Sequence, residues 1–407
     1  MKTSLRIIKL IIYKINIKIE LLNFFWAILI VIIIRLVSTK VLIKMRHIGT
    51  TRIGHFAEDS ANYFIDSSVK LKREINLFYF WPDSKHSNSF LKLLVRRNLK
   101  IMPRWFKYVD YWNRKIWGHE KYSIKPAKNR DTLGRFFNNN KKMNFLAHED
   151  KDGNEFLKSI GWNGTDKIVL IHVRDSDFLT HDKANLHPTL RDIDPWSHHS
   201  YRDSDISTYS DAIRFLINDG FFVIRMGKKQ KQKLNIQHEN FLDYSFSELK
   251  SDFLDIWLFA NADALISTVT GPCLISNIYG VPTLEINCLP SIDFRTFSRT
   301  LSAPKKLISI KTGKKISLKE HLESDFDTSN QYVEAGLDVV NLTSEEILKI
   351  TKEFILRLNN KWVDNFNDKN NNKLFWDTLI QINKFELYHK WISPSAQIST
   401  EWLRINT

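Results

Sequence analysis

The sequence predicts an α/β chain of two doubly wound domains, with a membrane-associated helical segment before them and helices after them. Three observations predict it. The run Lys167 to Asp177, K-I-V-L-I-H-V-R-D-S-D, holds apolar, mostly β-branched residues at Ile168 to Ile171 and Val173. That is the composition of a strand buried on both faces of a parallel sheet. From Ser207 to Ile286 strand and helix patterns alternate, as a doubly wound sheet requires. A strand, Gly-containing loop and helix also follow one another from Val41 to Val69. With 407 residues, 43% hydrophobic and 13% aromatic, the chain can fill two cores.

The net charge of +15 favours anionic partners, whether nucleic acid, anionic lipid or phosphorylated ligand. No nucleic-acid motif is present and the positive charge is scattered, so nucleic acid is not the expected partner. Two cysteines, Cys273 and Cys288, allow neither a disulfide framework nor a cysteine zinc site, and fit a reducing compartment.

In chain order, residues 1–20 read as a basic amphipathic helix, with Ile8, Ile11, Ile12, Ile15 and Ile19 on one face. Leu21 to Ile34 is apolar and closed by Arg35. It is shorter than the ~20 residues of a spanning helix. Basic residues on both flanks argue against translocation of either end. A monotopic anchor on the cytoplasmic face of the bacterial inner membrane is the expectation, with a single span to Val37 as the alternative. No small-residue cleavage site follows. Val41–Ile48 and Ile75–Phe80 read as strands, Phe90–Val95 as a helix, and Leu99–Met102 as a third strand. Trp105, Phe106, Tyr108, Tyr111, Trp112, Ile116 and Trp117 read mostly as core, with Arg104, Lys107, Arg114 and Lys115 on a basic edge. Gly153–Ile160 is a helix and Gly161–Asp166 a linker. After the central strand come a polar loop from Phe178 to Tyr201, a helix from Ser207 to Asn218 and a strand from Phe221 to Arg225. A helix at Asp252–Phe259, a strand at Ala264–Ser267, a helix to Tyr279 and a strand at Thr283–Ile286 complete the alternation. Ser344–Leu358 and Leu374–Lys390 are helical. The boundaries are 1–40, 41–160, 161–340 and 341–407.

The chemistry gathers at strand ends. Ligands of open α/β sheets bind beyond the carboxyl ends of the strands, where His172, Arg174 and Asp175 follow one strand and Arg225 and Gly227 another. Guanidinium groups suit bidentate phosphate binding. Thr268, Thr270, Gly271 and Pro272 stand where a helix begins, offering backbone N–H groups to a phosphate oxygen. Together these would hold a pyrophosphate without metal. Each arginine can equally pair with a carboxylate, and Thr270 can be a helix cap. Asp175-Ser-Asp177 and Asp203-Ser-Asp205 have the D-x-D form of a Mg²⁺ or Mn²⁺ chelate. Each follows an arginine able to neutralise it, so metal is the lesser reading. His181, His187, His198 and His199 lack the spacing of a helical zinc pair. Gly54-His55 follows the first strand. A histidine ordinarily titrates near neutrality, so His55 is the candidate base for an acceptor hydroxyl, with Glu58 or Asp59 to orient or replace it.

Taken in order, Arg52-Ile-Gly-His55, His172-Val-Arg-Asp-Ser176, Tyr201-Arg-Asp-Ser-Asp-Ile206, Val223-Ile-Arg-Met-Gly227, Ser251-Asp-Phe-Leu-Asp255 and Thr270-Gly-Pro272 resemble runs in a poorly characterised family of bacterial surface-polysaccharide glycosyltransferases. The resemblance spans Val41 to Pro290. His172-Val-Arg174 is also similar, more weakly, to the H-x-R motif of the fucosyltransferase superfamily. Thr268-Val269-Thr270 departs from the family pattern, which is Gly-rich or Ser-containing there. The resemblance implies two Rossmann-like domains in a GT-B-like arrangement, with a nucleotide-sugar donor in the second domain and a glycan or lipid-linked acceptor in the first. The expected activity is metal-independent sugar transfer without a cofactor. Arg174 and Arg225 would neutralise the leaving diphosphate, His55 would act as base, and Tyr201, Arg202 and Asp205 would contact sugar or nucleotide. The rivals are a metal-dependent transferase using Asp175 and Asp177, and a non-catalytic polysaccharide- or lipid-binding scaffold.

Overall fold

The computed structural model describes residues 23–68, 73–83, 85–127, 131–175 and 197–406. The amphipathic segment 1–20, His181, His187 and Asp177 lie outside the described residues. The chain divides into two compact units, Met1–Lys128 and Asn129–Thr407. The sequence reading instead sets its boundary at 160.

In the first unit, residues 23–37 form helix α1. Its buried stripe, Ala27, Val31 and Ile34, packs with Met45, Tyr79, Phe106, Val109 and Tyr122. Strand β1 (Leu42–Gly49) pairs in parallel with β2 (Glu74–Trp81), from Leu42 opposite Glu74 to Gly49 opposite Trp81. Parallel strands need a crossover, and here it is helix α2 (Ile53–Ser68). Single parallel bridges, Met45 to Ser123 and Phe78 to Ile101, widen the sheet on each side. The expected third strand at Leu99–Met102 is therefore one bridge long.

Helix α3 (Ser89–Asn98) is capped by Asn88, whose side chain accepts from Leu91 N. Helix α4 (Phe106–Asn113) follows. Of the aromatic segment expected mostly in the core, Phe106 is buried. Tyr108, Trp112 and Ile116 are half-buried, and Trp105, Tyr111 and Trp117 are exposed. Among the described residues no helix is long and apolar enough to cross a membrane, so the single-span alternative has no support there.

The second unit is built on a seven-stranded sheet. Helix α5 (Ala147–Ser159) precedes strand β3 (Ile168–His172), every residue of which is buried. Then come helix α6 (Ser210–Asn218), strands β4 (Phe222–Arg225) and β5 (Phe241–Leu242), and helix α7 (Asp252–Asn261). Strand β6 (Ala264–Ser267), helix α8 (Cys273–Tyr279), strand β7 (Thr283–Cys288) and strand β8 (Thr300–Pro304) follow. Strand β9 (Lys306–Ser309), helices α9 (Leu318–Glu323) and α10 (Ser329–Glu334), and strand β10 (Leu337–Val340) lie between β8 and the C-terminal helices. Strands β9 and β10 pair antiparallel, apart from the main sheet.

The C-terminal helices are α11 (Ser344–Leu358), α12 (Phe366–Ile380) and α13 (Thr400–Asn406), with strand β11 (Gln397–Ile398) before the last. A capping box starts α11: Glu346 N donates to Thr343 Oγ1, and Thr343 N donates to Glu346 Oε2. These helices bury Ile347, Ile350, Phe354, Phe375, Leu379 and Trp402 in one core with α6 and the sheet residues Val169, Ile171, Val223 and Ile266. His172 points to the other face, edge-on to Phe259 of α7 at 5.5 Å.

The sheet runs β11-β8-β7-β6-β3-β4-β5, and every pairing is parallel. Counted from β3, the six strands from β5 to β8 stand in the order 3-2-1-4-5-6, that of a doubly wound Rossmann sheet. The order reverses between β3 and β6. Connections from those two strands leave in opposite directions, which opens a crevice at their carboxyl ends.

A candidate anion-binding site at the sheet switch point

The residues after β3 and β6 meet at this reversal. Thr268 Oγ1 accepts from Arg174 N at 2.9 Å. Thr270 Oγ1 lies 2.9 Å from His172 Nδ1. Thr270 also touches Cys273 Sγ at 2.9 Å, and Ser267 Oγ lies 2.7 Å from the same sulfur. Burial, and then the nearby Arg225 charge, lower the His172 imidazole to about 4. It is neutral at pH 7 and serves as a hydrogen-bonding strut, not as a cation.

The segment 201–205 closes over these loops. Arg202 Nη2 donates to Val269 O at 2.9 Å, and Arg174 Nε donates to Asp203 Oδ1 at 2.9 Å. Lys305, directly after β8 and only 3% exposed, donates to Asp203 O at 2.6 Å. Arg202 Nε is buried with no hydrogen-bond partner among the described residues. Burial is the first cause that lowers the Arg202 and Lys305 values, the latter to about 8. Arg174 repels both, so the three cations lie within one electrostatic neighbourhood. They face Asp203, held above the usual carboxylate range by burial, and Asp175, whose Oδ2 accepts from Lys231 N at 2.8 Å. Three cations against two carboxylates leave an excess of positive charge at the switch point. Such an excess, half shielded from water, attracts an anion.

His172, Arg174, Asp175, Arg202, Thr270, Gly271 and Pro272 are thus brought to one end of the sheet. Gly271 and Pro272 lead into α8, which has seven residues. The other expected residues have different places. Arg225 is fully buried: Nη1 donates to Gln232 O (2.7 Å) and Asp243 Oδ2 (3.0 Å), and Nη2 to Gln230 Oε1 (3.1 Å). Its fork is committed to protein partners, which corrects the expectation that it meets a phosphate. Gly227 stands at φ +156°, and a Cβ there would lie 2.8 Å from the Gln230 side chain, so it makes room for that brace. Tyr201 is buried against Tyr332, Leu289 and Leu307. Asp205 caps a short 3-10 turn by accepting from Ser207 N at 2.8 Å. Gly54 and His55 belong to the first unit. They lie inside the first turn of α2, not in the loop before it, and Phe56 N closes that turn on Arg52 O at 2.9 Å.

Two features go beyond the sequence reading. Lys305 joins the cations through Asp203, and its signal is a lysine directly after the buried strand T-L-S-A-P. Glu285 is the other. Strand register lines up His172, Ser267, Glu285 and Ser302 across four strands. Glu285 and Ser302 are wholly buried, and the Glu285 carboxylate lies 3.2 Å from Arg295. A carboxylate inside the wholly buried strand T-L-E-I-N-C demands such a buried partner. Among the described residues no group of three or more His, Cys, Asp or Glu side chains is arranged for a metal ion.

No described protein family matches the chain, and no curated protein matches it. Among solved structures it is similar to the glycosyl transferase family 9 protein from Veillonella parvula DSM 2008. The likeness covers 77% of this chain and 98% of that one, at 9% identity and a TM-score of 0.43. At that score it specifies neither fold nor function.

Proposed function

We propose that the chain is a glycosyltransferase whose second unit holds the diphosphate of a nucleotide sugar at the β3/β6 switch point. The observation that carries this reading is the gathering of Arg174, Arg202 and Lys305 around Asp203 where the strand order reverses. In the reaction the acceptor oxygen bonds to the anomeric carbon, and the bond from that carbon to the phosphate oxygen breaks. The electron pair leaves with the diphosphate, and the hydroxyl proton goes to a base. Fixed cations around the departing charge supply electrostatic stabilisation, usually a large catalytic contribution.

The reading is metal-independent, since the protein's own cations meet the leaving charge; undiminished turnover in EDTA is expected. His55 remains the proposed base for an inverting reaction. Asp59, four residues on and raised by burial to about 6, is a second group able to accept a proton near neutrality. The acceptor is a surface glycan or a lipid-linked sugar.

Arg174→Ala tests the assignment. Loss of one such donor costs about 100-fold or more in turnover. The fold should survive, because the Arg174 backbone keeps its bond to Thr268. Sugar nucleotides should raise the melting temperature of the wild-type chain and fail to raise that of the variant. Near-normal turnover by Arg174→Ala, or indifference of the wild type to every sugar nucleotide, would sink the reading.

A further inference from the structure

Helix α1 has two apolar faces, and the first unit covers one of them. Ala27, Val31 and Ile34 are buried, while Phe25 is 75% exposed, Leu29 58%, Ile32 46%, Ile33 50% and Leu36 71%. On a wheel the exposed stripe centres roughly 180° from the buried one. A solvent-facing helix side is ordinarily polar, and contiguous exposed apolar surface marks an interaction site.

The stripe does not stand alone. Trp26 of α1 meets Trp105 at 5.5 Å, and Phe24 meets Trp112 at 4.8 Å. Arg35, at the C-terminal end of α1, donates to Trp117 O at 3.0 Å and to Asn113 Oδ1 at 3.0 Å. These contacts bring to α1 a segment that itself exposes Trp105, Tyr111 and Trp117, the last 95% exposed. Lysines lie over Tyr111 and over neighbouring rings: Lys115 is 5.3 Å from Tyr111, and Lys107 is 4.7 Å from Tyr108 and 5.0 Å from the Trp81 ring. Residues 100–121 carry six Lys or Arg against two Asp or Glu.

We propose that this face of the first unit docks on an anionic lipid bilayer, with α1 lying in the plane of the interface. Phe25, Leu29, Ile32, Ile33 and Leu36 enter the acyl boundary. Trp105, Tyr111 and Trp117 sit at headgroup depth, where amphipathic rings concentrate. Lys107 and Lys115 meet the lipid phosphates. Apolar stripe, aromatic rim and cations are the three layers such an interface presents. A second copy of the chain would match the apolar stripe but would meet the same positive charge. The proposal does not depend on the transferase reading and is tested without activity.

The full chain should float with vesicles of phosphatidylcholine mixed with phosphatidylglycerol, and about tenfold less with phosphatidylcholine alone. The exposed substitutions Leu29→Glu, Ile33→Glu and Leu36→Glu together should reduce flotation about tenfold, with far-UV circular dichroism unchanged. A second readout does not depend on that variant. Cys273 and Cys288 are both buried, so Leu29→Cys takes an environment-sensitive label selectively, and its emission should shift to the blue when anionic vesicles are added. Undiminished flotation of the triple variant would mean that residues 1–22 suffice, and would overturn the proposal. So would a label blind to vesicles. So would a wild-type chain that is dimeric without lipid and becomes monomeric in the triple variant, because a second copy would then be the occupant.

Discussion

Lys305 shows how much one side chain at the switch point decides. Burial holds its ammonium at about 8 instead of the usual 10.5. The charged form is therefore the strained one. The lysine detracts from stability below pH 8, and that cost is relieved as pH rises toward 10.5, a swing on the order of 3 kcal/mol. A bound anion reverses the preference. Affinity for a nucleoside diphosphate should fall as pH rises through about 8 in the wild type. Lys305→Met should bind more weakly at pH 7, lose that pH step, and be more stable by about 1–3 kcal/mol. Titration calorimetry at several pH values checks the first two, and urea unfolding the third. An unaltered pH step in the variant would remove Lys305 from the site. At this scale Arg174 and Thr270 are legible because each stands within three residues of a buried strand's end, whereas Arg202 ends a 3-10 turn and is singled out only by the family resemblance. The sequence reading misread Arg225 because a strand-end guanidinium is equally suited to a ligand and to a brace. The partners that decide it are Gln230 and Gln232 in the loop after β4 and Asp243 just past β5, and sequence does not tell how that stretch folds back.

Elements were legible where one pattern dominated. Strands β3, β4 and β6 are apolar runs bounded by turns, and α11 carries both its cap and its apolar period. Strands β8 to β10 are as long as β3, β4 and β6 but mix polar residues into their runs, β11 has two residues, and β8 ends in a proline that gives no strand signal. Helices α9 and α10 have six residues each, too few for a period to show. The joint between α5 and α7 is another feature visible only in three dimensions. Gly153 of α5 lies under the Trp257 ring, where an added Cβ would be 2.3 Å from the nearest carbon. The Trp257 indole is fixed by donating to Asp150 Oδ1 at 3.0 Å. Alanine is normally the better helix former by about 1 kcal/mol. Here Gly153→Ala should destabilise by roughly 1–3 kcal/mol, because overpacking outweighs propensity. Chemical denaturation measures the sign directly, and a more stable variant would show that the two helices can separate at no cost.

For the molecule as a whole, acid is the informative stress. His172 and His321 are buried, and burial lowers both to about 4. Unfolded, each takes a proton near 6.5. Their contribution to stability is therefore complete above pH 6.5 and is lost as pH falls toward 4, by roughly 2 kcal/mol each at pH 5. Melting temperature should drop between pH 7 and pH 5, and His321→Gln should flatten part of that drop; a variant with the wild-type slope would contradict the assignment. His321 bears on the site as well, since its ring nitrogens contact Ser291 Oγ and Lys305 O, both at 2.8 Å. The doubly wound order of the second unit was readable from the alternation of elements, but the position of its reversal was not, because strand order is a long-range property. Arg225 has the widest consequence. Its bonds tether the 230–243 loop to β4, and Lys231 of that loop in turn grips Asp175 beside Arg174. An incoming diphosphate would therefore meet preorganised scaffolding: the entropy of ordering this rim is spent when the chain folds, not when the ligand arrives.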